Sequence, residues 1–189
     1  MVVEEQKLVG ACGLYCGLCP GFHSKDRFRC PGCKLSESHM WCGIFRCCVI
    51  ERYLVTCADC EEYPCEKLLQ LAEIKSDISI IERVVKHKPI LSNLDIIKGV
   101  GVEFWIKEQK KRRLLLEYLL ANYDDGRSIN FYCIACSFIP INLIEEAISE
   151  VKKMIVEGQI DGLNLKAKVE TLKSIIKKLA IESEIDLKF

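Results

Sequence analysis

The sequence predicts a mainly α-helical fold with an irregular N-terminal domain, and three observations carry that expectation. Eleven of the thirteen cysteines, five of the eleven glycines and three of the five prolines fall between residues 12 and 65. No apolar period in that stretch lasts long enough to define a helix or a sheet. From residue 66 onward only two cysteines remain, and apolar residues recur at helical spacing. The expected organisation is a cysteine-rich domain over 1–65 packed on an α-helical domain over 66–189.

The helical elements follow in order. Pro64 suits a helix N-terminus, where its missing N–H would be unpaired anyway. Leu68, Leu69, Leu71 and Ala72 then form one apolar stripe. Residues 78–85 predict a second short helix, stopped before Pro89. Leu91, Leu94, Ile96 and Ile97 continue helically as far as Gly99 and Gly101. The longest helix is expected over 102–123, with Leu115, Leu116, Leu119 and Leu120 facing inward and "DDGR" at 124–127 ending it. Asn142 with Glu145 three residues on is a capping-box pattern opening a helix to about residue 157. Asn164 caps a last long helix whose inward face holds Ala167, Leu172, Ile175, Ile176 and Leu179. "EIDLKF" at the end alternates like a short strand.

A stretch as irregular as 12–65 cannot meet an ordering cost of about 1–2 kcal/mol per backbone residue from apolar burial alone. It needs staples. The N-terminus, MVVEEQKLVG, carries charge where an export signal needs an apolar core, which predicts a cytoplasmic protein. The longest apolar stretch, 131–144, is broken by Ser137, Pro140 and Asn142 and is too short to span a membrane. In a reducing compartment disulfides do not persist, so clustered thiols point to metal.

Three Cys-x-x-Cys pairs provide the ligands: Cys16/Cys19, Cys30/Cys33 and Cys57/Cys60. Each pair forms a tight turn in which two thiolates reach one ion and backbone N–H groups support the sulfurs. Cys42, Cys47 and Cys48 lie between pairs, with Cys12 in front and Cys65 behind. Two tetrathiolate zinc sites follow from spacing, one on Cys16, Cys19, Cys30 and Cys33, the other on Cys42, Cys47, Cys57 and Cys60. Cross-braced pairing stays open, and Cys12 or Cys65 can displace one of the eight. An iron–sulfur cluster is the alternative cofactor, because it also takes four thiolates and eleven cysteines exceed what two zinc ions use. Zinc is favoured on spacing, and its role is structural, in an interaction module with an unidentified protein partner.

The run "CGLYCGLCP", then "CPGC", then "CADCEEYPC" resembles a family of small cysteine-rich archaeal and bacterial proteins classed as a domain of unknown function. The resemblance continues through "LLEYLLANYDDGRSINFYCIA" and so covers most of the chain. It matches at Cys12, Cys16, Cys19, Cys30, Cys33, Cys42, Cys47, Cys57, Cys60 and Cys65, and implies a metal-binding domain. Cys48 and Cys136 depart from the family pattern, which makes them poorer ligands.

Several classes are disfavoured. Cys12, Cys16 and Cys19 have the C-x3-C-x2-C spacing of radical enzymes, but more cysteine pairs and helices follow instead of alternating strands and helices. No hydrolase triad, phosphate loop or paired catalytic carboxylate stands out. Lys plus Arg and Asp plus Glu both number 27, so bulk charge does not favour nucleic acid. The basic run "KEQKKRR" at 107–113 and the aromatics Phe22, Phe28, Trp41 and Phe45 keep a zinc-dependent nucleic-acid binder as a second alternative. His39 offers a Cys3His variant of a site, though sulfur is already in surplus. Cys133 and Cys136 read as a buried inert pair, with a reactive Cys133 near Arg127 as the sharper alternative.

Overall fold

The computed structural model describes residues 2–25, 27, 29–35, 40–73 and 89–185. It is mainly helical: α1 Val2–Lys7, α2 Pro20–His23, α3 Gly43–Phe45, α4 Glu66–Glu73, α5 Ile90–Val100, α6 Val102–Asn122, α7 Ile129–Phe138, α8 Ile141–Val156 and α9 Leu165–Glu182. Among the described residues there is no strand beyond a single antiparallel bridge between Val9 and Tyr15. No helix among them is long and apolar enough to cross a membrane. The helix expected over 78–85 and the last four residues of the expected C-terminal strand lie outside the described residues. Glu184 and Ile185, the first two of that strand, follow the end of α9 without forming one.

The chain divides into two compact units, residues 1–111 and 112–189. The compositional boundary at residue 65 falls inside the first unit, so α4, α5 and the first part of α6 fall in the same unit as the cysteine loops. Two elements start differently from the sequence expectation. Pro64 follows Tyr63 through a cis peptide bond and lies outside the helix, which begins at Glu66. Asn142 is not a cap, because α8 starts at Ile141 behind Pro140 without a side-chain cap. Proline fixes that entry instead, having no N–H to leave unpaired. The terminal α1 carries no periodic signal long enough to read. Asn164, by contrast, caps α9 as expected, its side chain accepting the Ala167 N–H at 3.1 Å.

In the first unit, Leu8, Val9, Tyr15, Leu18, Leu68, Ile90, Leu94, Ile97 and Trp105 are all buried. Tyr15 meets Trp105 edge to face at 6.0 Å, and its hydroxyl donates to the buried Glu5 carboxylate. Backbone bonds stitch the irregular loops: Cys16 N–H donates to Leu8 O at 2.7 Å and Cys57 N–H to Ala11 O at 2.8 Å. Asn93 of α5 donates to Gly13 O at 2.9 Å.

Gly13 is where α5 presses on the first cysteine loop. Its φ is +80°, and an added Cβ would lie 2.8 Å from Leu94 Cγ and 3.2 Å from the Ile90 carbonyl oxygen. Gly13→Ala is expected to destabilise the first unit by about 2–5 kcal/mol, from left-handed strain and overpacking together. Gly126 has the same left-handed backbone, φ +82°, with open space around it. Gly126→Ala should cost only about 1–2 kcal/mol. Denaturant midpoints of the two variants check the difference; equal shifts would show that the Leu94 contact does not resist.

In the second unit, Leu116, Leu119, Tyr132, Ile144, Val151, Leu172 and Ile176 are buried, with α8 packed on α9. Leu115, Leu120, Ala167 and Leu179, also expected inside, are half-buried at the margins of those stripes. The turn after α6 is built by Asp124 and Asp125, whose carboxylates accept the Gly126 and Arg127 N–H groups at 2.9 and 3.0 Å. Arg112 donates to Cys136 O and Ile139 O, both at 2.9 Å, and so satisfies the carbonyls that the end of α7 leaves unpaired.

Cys133 and Cys136 are buried on α7, and burial pushes the Cys136 thiol up to about 12. The thiolate is the reactive form, so both should resist alkylation. Iodoacetamide at pH 8 is expected to leave them unlabelled in native protein and to label both after denaturation, read by peptide mass spectrometry. Rapid native labelling of Cys133 would restore the reactive reading.

Candidate functional site

All thirteen cysteines are free thiols, and the eleven of the N-terminal segment lie in the first unit. Two of the Cys-x-x-Cys pairs adopt the same local form. Cys16–Leu18 and Cys57–Asp59 are 3-10 turns closed by Cys19 N–H to Cys16 O at 3.0 Å and Cys60 N–H to Cys57 O at 3.2 Å. Cys19 and Cys60 leave those turns with nearly identical extended backbones, φ −86°, ψ 134° and φ −82°, ψ 135°. The second turn is secured by Thr56, fully buried, whose hydroxyl accepts the Ala58 N–H while Asp59 reaches back to the Thr56 N–H.

The first group gathers around Cys16. Cys33 donates its N–H to Cys16 Sγ at 3.3 Å, and the two thiols are hydrogen-bonded to each other. That bond lowers the Cys16 thiol to about 7 against the effect of its burial, and raises Cys33. Gly21 lies between the Cys19 and Cys30 loops: a Cβ built on it would stand 3.6 Å from Cys30 Cβ and 3.8 Å from Cys19 Sγ, ordinary contact distances. Cys30 N–H donates to Gly21 O at 2.9 Å. Cys19 is raised by burial although its sulfur accepts the Gly21 and Phe22 N–H groups. Cys12, half-buried, is pushed up to about 11 by desolvation and feels Cys42 and Cys16. The first expected site, Cys16, Cys19, Cys30 and Cys33, is thus brought into one neighbourhood, with Cys12 beside it.

The second group lines a pocket. Cys47, Cys48, Cys57, Cys60 and Cys65 surround it, with Ile44 and Leu68 as apolar wall and Arg52, Glu62, Tyr63 and Lys67 completing the lining. Cys47 and Cys48 stand on a π-helical turn, Arg46–Glu51, that continues α3. Cys57 and Cys48 thiols are hydrogen-bonded, which raises Cys57 and lowers Cys48. Arg52 donates to Cys60 Sγ at 3.4 Å and to Glu62 at 2.6 Å, and its guanidinium also meets Cys47.

Cys42, grouped by spacing with Cys47, Cys57 and Cys60, is exposed, does not line that pocket, and acts on Cys12 instead. Cys48 and Cys65 take their places along the wall. Lys34 lies between the groups, donating to Val55 O at 2.7 Å and sensing Cys48, Cys16 and Cys33, though burial is the largest effect and lowers it. Among the described residues no three Cys, His, Asp or Glu side chains are arranged to hold a metal ion directly. His23 is bonded to Gly17 O at 2.7 Å; His39 and His87, like Phe28, lie outside the described residues.

Sequence reasoning missed Arg52, Tyr63 and Lys34. An arginine embedded among cysteines is the one signal that points to Arg52. Tyr63 donates to Asp95 at 2.6 Å across 32 residues, a contact that no local pattern encodes. Three of the five basic side chains at 107–113 have partners. Arg112 caps α7, while Lys111 pairs with Glu108 and Arg113 with Glu117, each at 3.8 Å. Comparison with protein-family models, with functionally characterised proteins and with solved structures finds no match for this chain.

Proposed function

We propose that residues 12–65 form a thiolate metal-binding module in which zinc has a structural role, with the first centre on Cys16, Cys19, Cys30 and Cys33. The observation that carries this reading is the contact of Cys33 with Cys16, whose sulfur accepts the Cys33 backbone N–H at 3.3 Å and so joins two Cys-x-x-Cys loops of sequence separation 17. Four thiols on two such loops suit a tetrahedral ion with Zn–S distances of about 2.3 Å. Cys12 is the fifth sulfur of this neighbourhood. The remaining cysteines of the segment serve a second centre at the pocket. The resemblance of these motifs to an uncharacterised cysteine-rich family, which implies a metal-binding domain, points the same way.

An interaction role is supported by Trp41 and Tyr53, which are 90% and 88% exposed on the cysteine loops. Tyr53 also holds φ +56°, a conformation that glycine fills more cheaply, at the end of the π-helical turn. A bulky aromatic kept there, facing solvent, suits a protein partner.

Metal analysis of single variants tests the first centre. Cys16→Ser and Cys30→Ser are each expected to lose about one zinc per chain, because a serine hydroxyl stays protonated where a thiolate bound. Cys133→Ala and Cys136→Ala should retain it. Full zinc in both serine variants would rule this centre out. For the nucleic-acid alternative, the partial pairing of the basic run and the neutral chain lead us to expect no appreciable binding at physiological salt. Tight binding that falls steeply with salt, and with Lys110→Glu and Lys111→Glu, would reverse that expectation.

A further inference from the structure

We infer that Cys48 and Cys57 are an oxidisable thiol pair, closed into a disulfide by hydrogen peroxide or a similarly small hydroperoxide that enters the pocket of the second group. Where that pocket holds zinc, the bond withdraws Cys57 from the ion; this consequence alone rests on the metal-binding reading of residues 12–65.

The fold brings the two sulfurs together from the ends of one loop. The Cys48 carbonyl accepts the Leu54 N–H at 2.9 Å, and the Cys48 thiol donates to Leu54 O at 3.8 Å, so the chain has doubled back on Cys48 just before it reaches Cys57. Both side chains then line the same pocket, and their thiols are hydrogen-bonded to each other. Other pairings there suit a disulfide less well. Cys47 adjoins Cys48, and neighbouring α-carbons stand about 3.8 Å apart, short of the roughly 4.4–6.8 Å that a disulfide spans. Cys60 has its sulfur on the Arg52 guanidinium at 3.4 Å, and the capping box of Thr56 and Asp59 fixes the turn between it and Cys57.

Size selects the oxidant. Cys48 and Cys57 are only 3% and 8% exposed, and the space among the pocket's side chains takes a molecule of about water's size. Hydrogen peroxide is little larger than that, whereas a glutathione disulfide is far too bulky. Five thiols surround the space, one more than a tetrahedral ion takes, so a zinc ion there leaves one sulfur unbound. Cys48, whose thiol is turned to its own loop at Leu54, is that sulfur and reacts first.

The chemistry balances in two steps. The Cys48 sulfur attacks one peroxide oxygen, the O–O bond breaks, and the leaving hydroxide takes the thiol proton and departs as water. The Cys57 sulfur then attacks the resulting sulfenic sulfur, and the S–O bond breaks as the S–S bond forms. The hydroxyl leaves as a second water with the Cys57 proton, or as hydroxide where Cys57 was a metal-bound thiolate. The two cysteines lose two electrons in all, and the peroxide gains them.

The test treats the full chain, purified under reducing conditions, with hydrogen peroxide, alkylates the remaining thiols and maps linked peptides by mass spectrometry. The expected product carries a Cys48–Cys57 linkage that dithiothreitol reverses, and it releases about one zinc per chain while the first centre keeps its own. Cys48→Ala should lose both the linkage and the peroxide-driven release of zinc. Cys57→Ser should leave the Cys48 sulfenic acid without its partner, so that dimedone traps it. Glutathione disulfide at the same concentration should leave the pair reduced.

Zinc-loaded wild-type protein whose Cys48 stays reduced, or whose linkage joins Cys57 to Cys60, overturns the inference and leaves the metal reading standing. A Cys48–Cys57 linkage in protein that holds no zinc supports the inference and overturns the metal reading. Glutathione disulfide acting as readily as peroxide overturns the assignment of a small oxidant. Should either variant fail to fold, the linkage map of the wild-type chain decides the matter.

Discussion

Removing metal from the folded protein with a strong chelator is expected to open residues 12–65 to protease while the helices of residues 112–182 keep their far-UV signal. The size of the effect follows from what holds the segment. Outside Leu8–Leu18 and a few residues such as Ile44, Phe45, Thr56 and Ala58, its described residues are mostly half-buried or exposed. Structural zinc contributes about 10–16 kcal/mol of apparent binding free energy in small stapled domains, comparable to the whole stability of an ordinary domain at about 5–15 kcal/mol. The damage should also spread past residue 65. Lys67 and Leu68 line the thiol pocket, and α5 packs on the Cys57–Asp59 turn. Limited proteolysis with and without chelator, mapped by mass spectrometry, reads the outcome. Unchanged protection of 12–65 would mean that backbone and core contacts suffice and that metal is not the staple.

The helices were legible because their signals are local. The leucines of 115–120, the "DDGR" turn and the Asn164 cap each act within a few residues, and α6 and α9 stand where those signals put them. The start of α8 was misread because Asn142 and Glu145 have the right spacing for a capping box, whereas Pro140 sets the entry through its backbone. Cys-x-x-Cys spacing likewise identifies turns but not what those turns face. Cys48 and Cys65 line the pocket because a π-helical turn and the start of α4 bring them there, and Cys42 misses it although its spacing is as good. The unit boundary inside α6 has no compositional marker, since a helix can run from one core into another without interruption.

Tyr132 anchors the second unit, and its removal is expected to be the costliest single truncation there. It is fully buried on α7, and its hydroxyl donates to Tyr123 O at 3.0 Å. Tyr132→Ala should destabilise the unit by about 3–5 kcal/mol, the range for removing a large aromatic from a core. Tyr132→Phe keeps the ring and loses only the hydrogen bond, at about 1–3 kcal/mol for the carbonyl left buried. The pair of variants separates packing from polar satisfaction. A pH series adds a third measurement. Desolvation is the main cause that raises the Tyr132 hydroxyl above its ordinary value, with Asp125 and Asp124 adding to it. The unfolded chain therefore releases this proton first, near pH 10, while the folded chain still holds it. Stability should fall as pH rises above about 10, and Tyr132→Phe should lose part of that slope, Tyr123 supplying a smaller share in the same direction. Denaturant melts of residues 112–189, followed by helical signal between pH 8 and 11, give the comparison. Identical slopes for wild type and Tyr132→Phe would show that this hydroxyl is not held away from water in the folded unit.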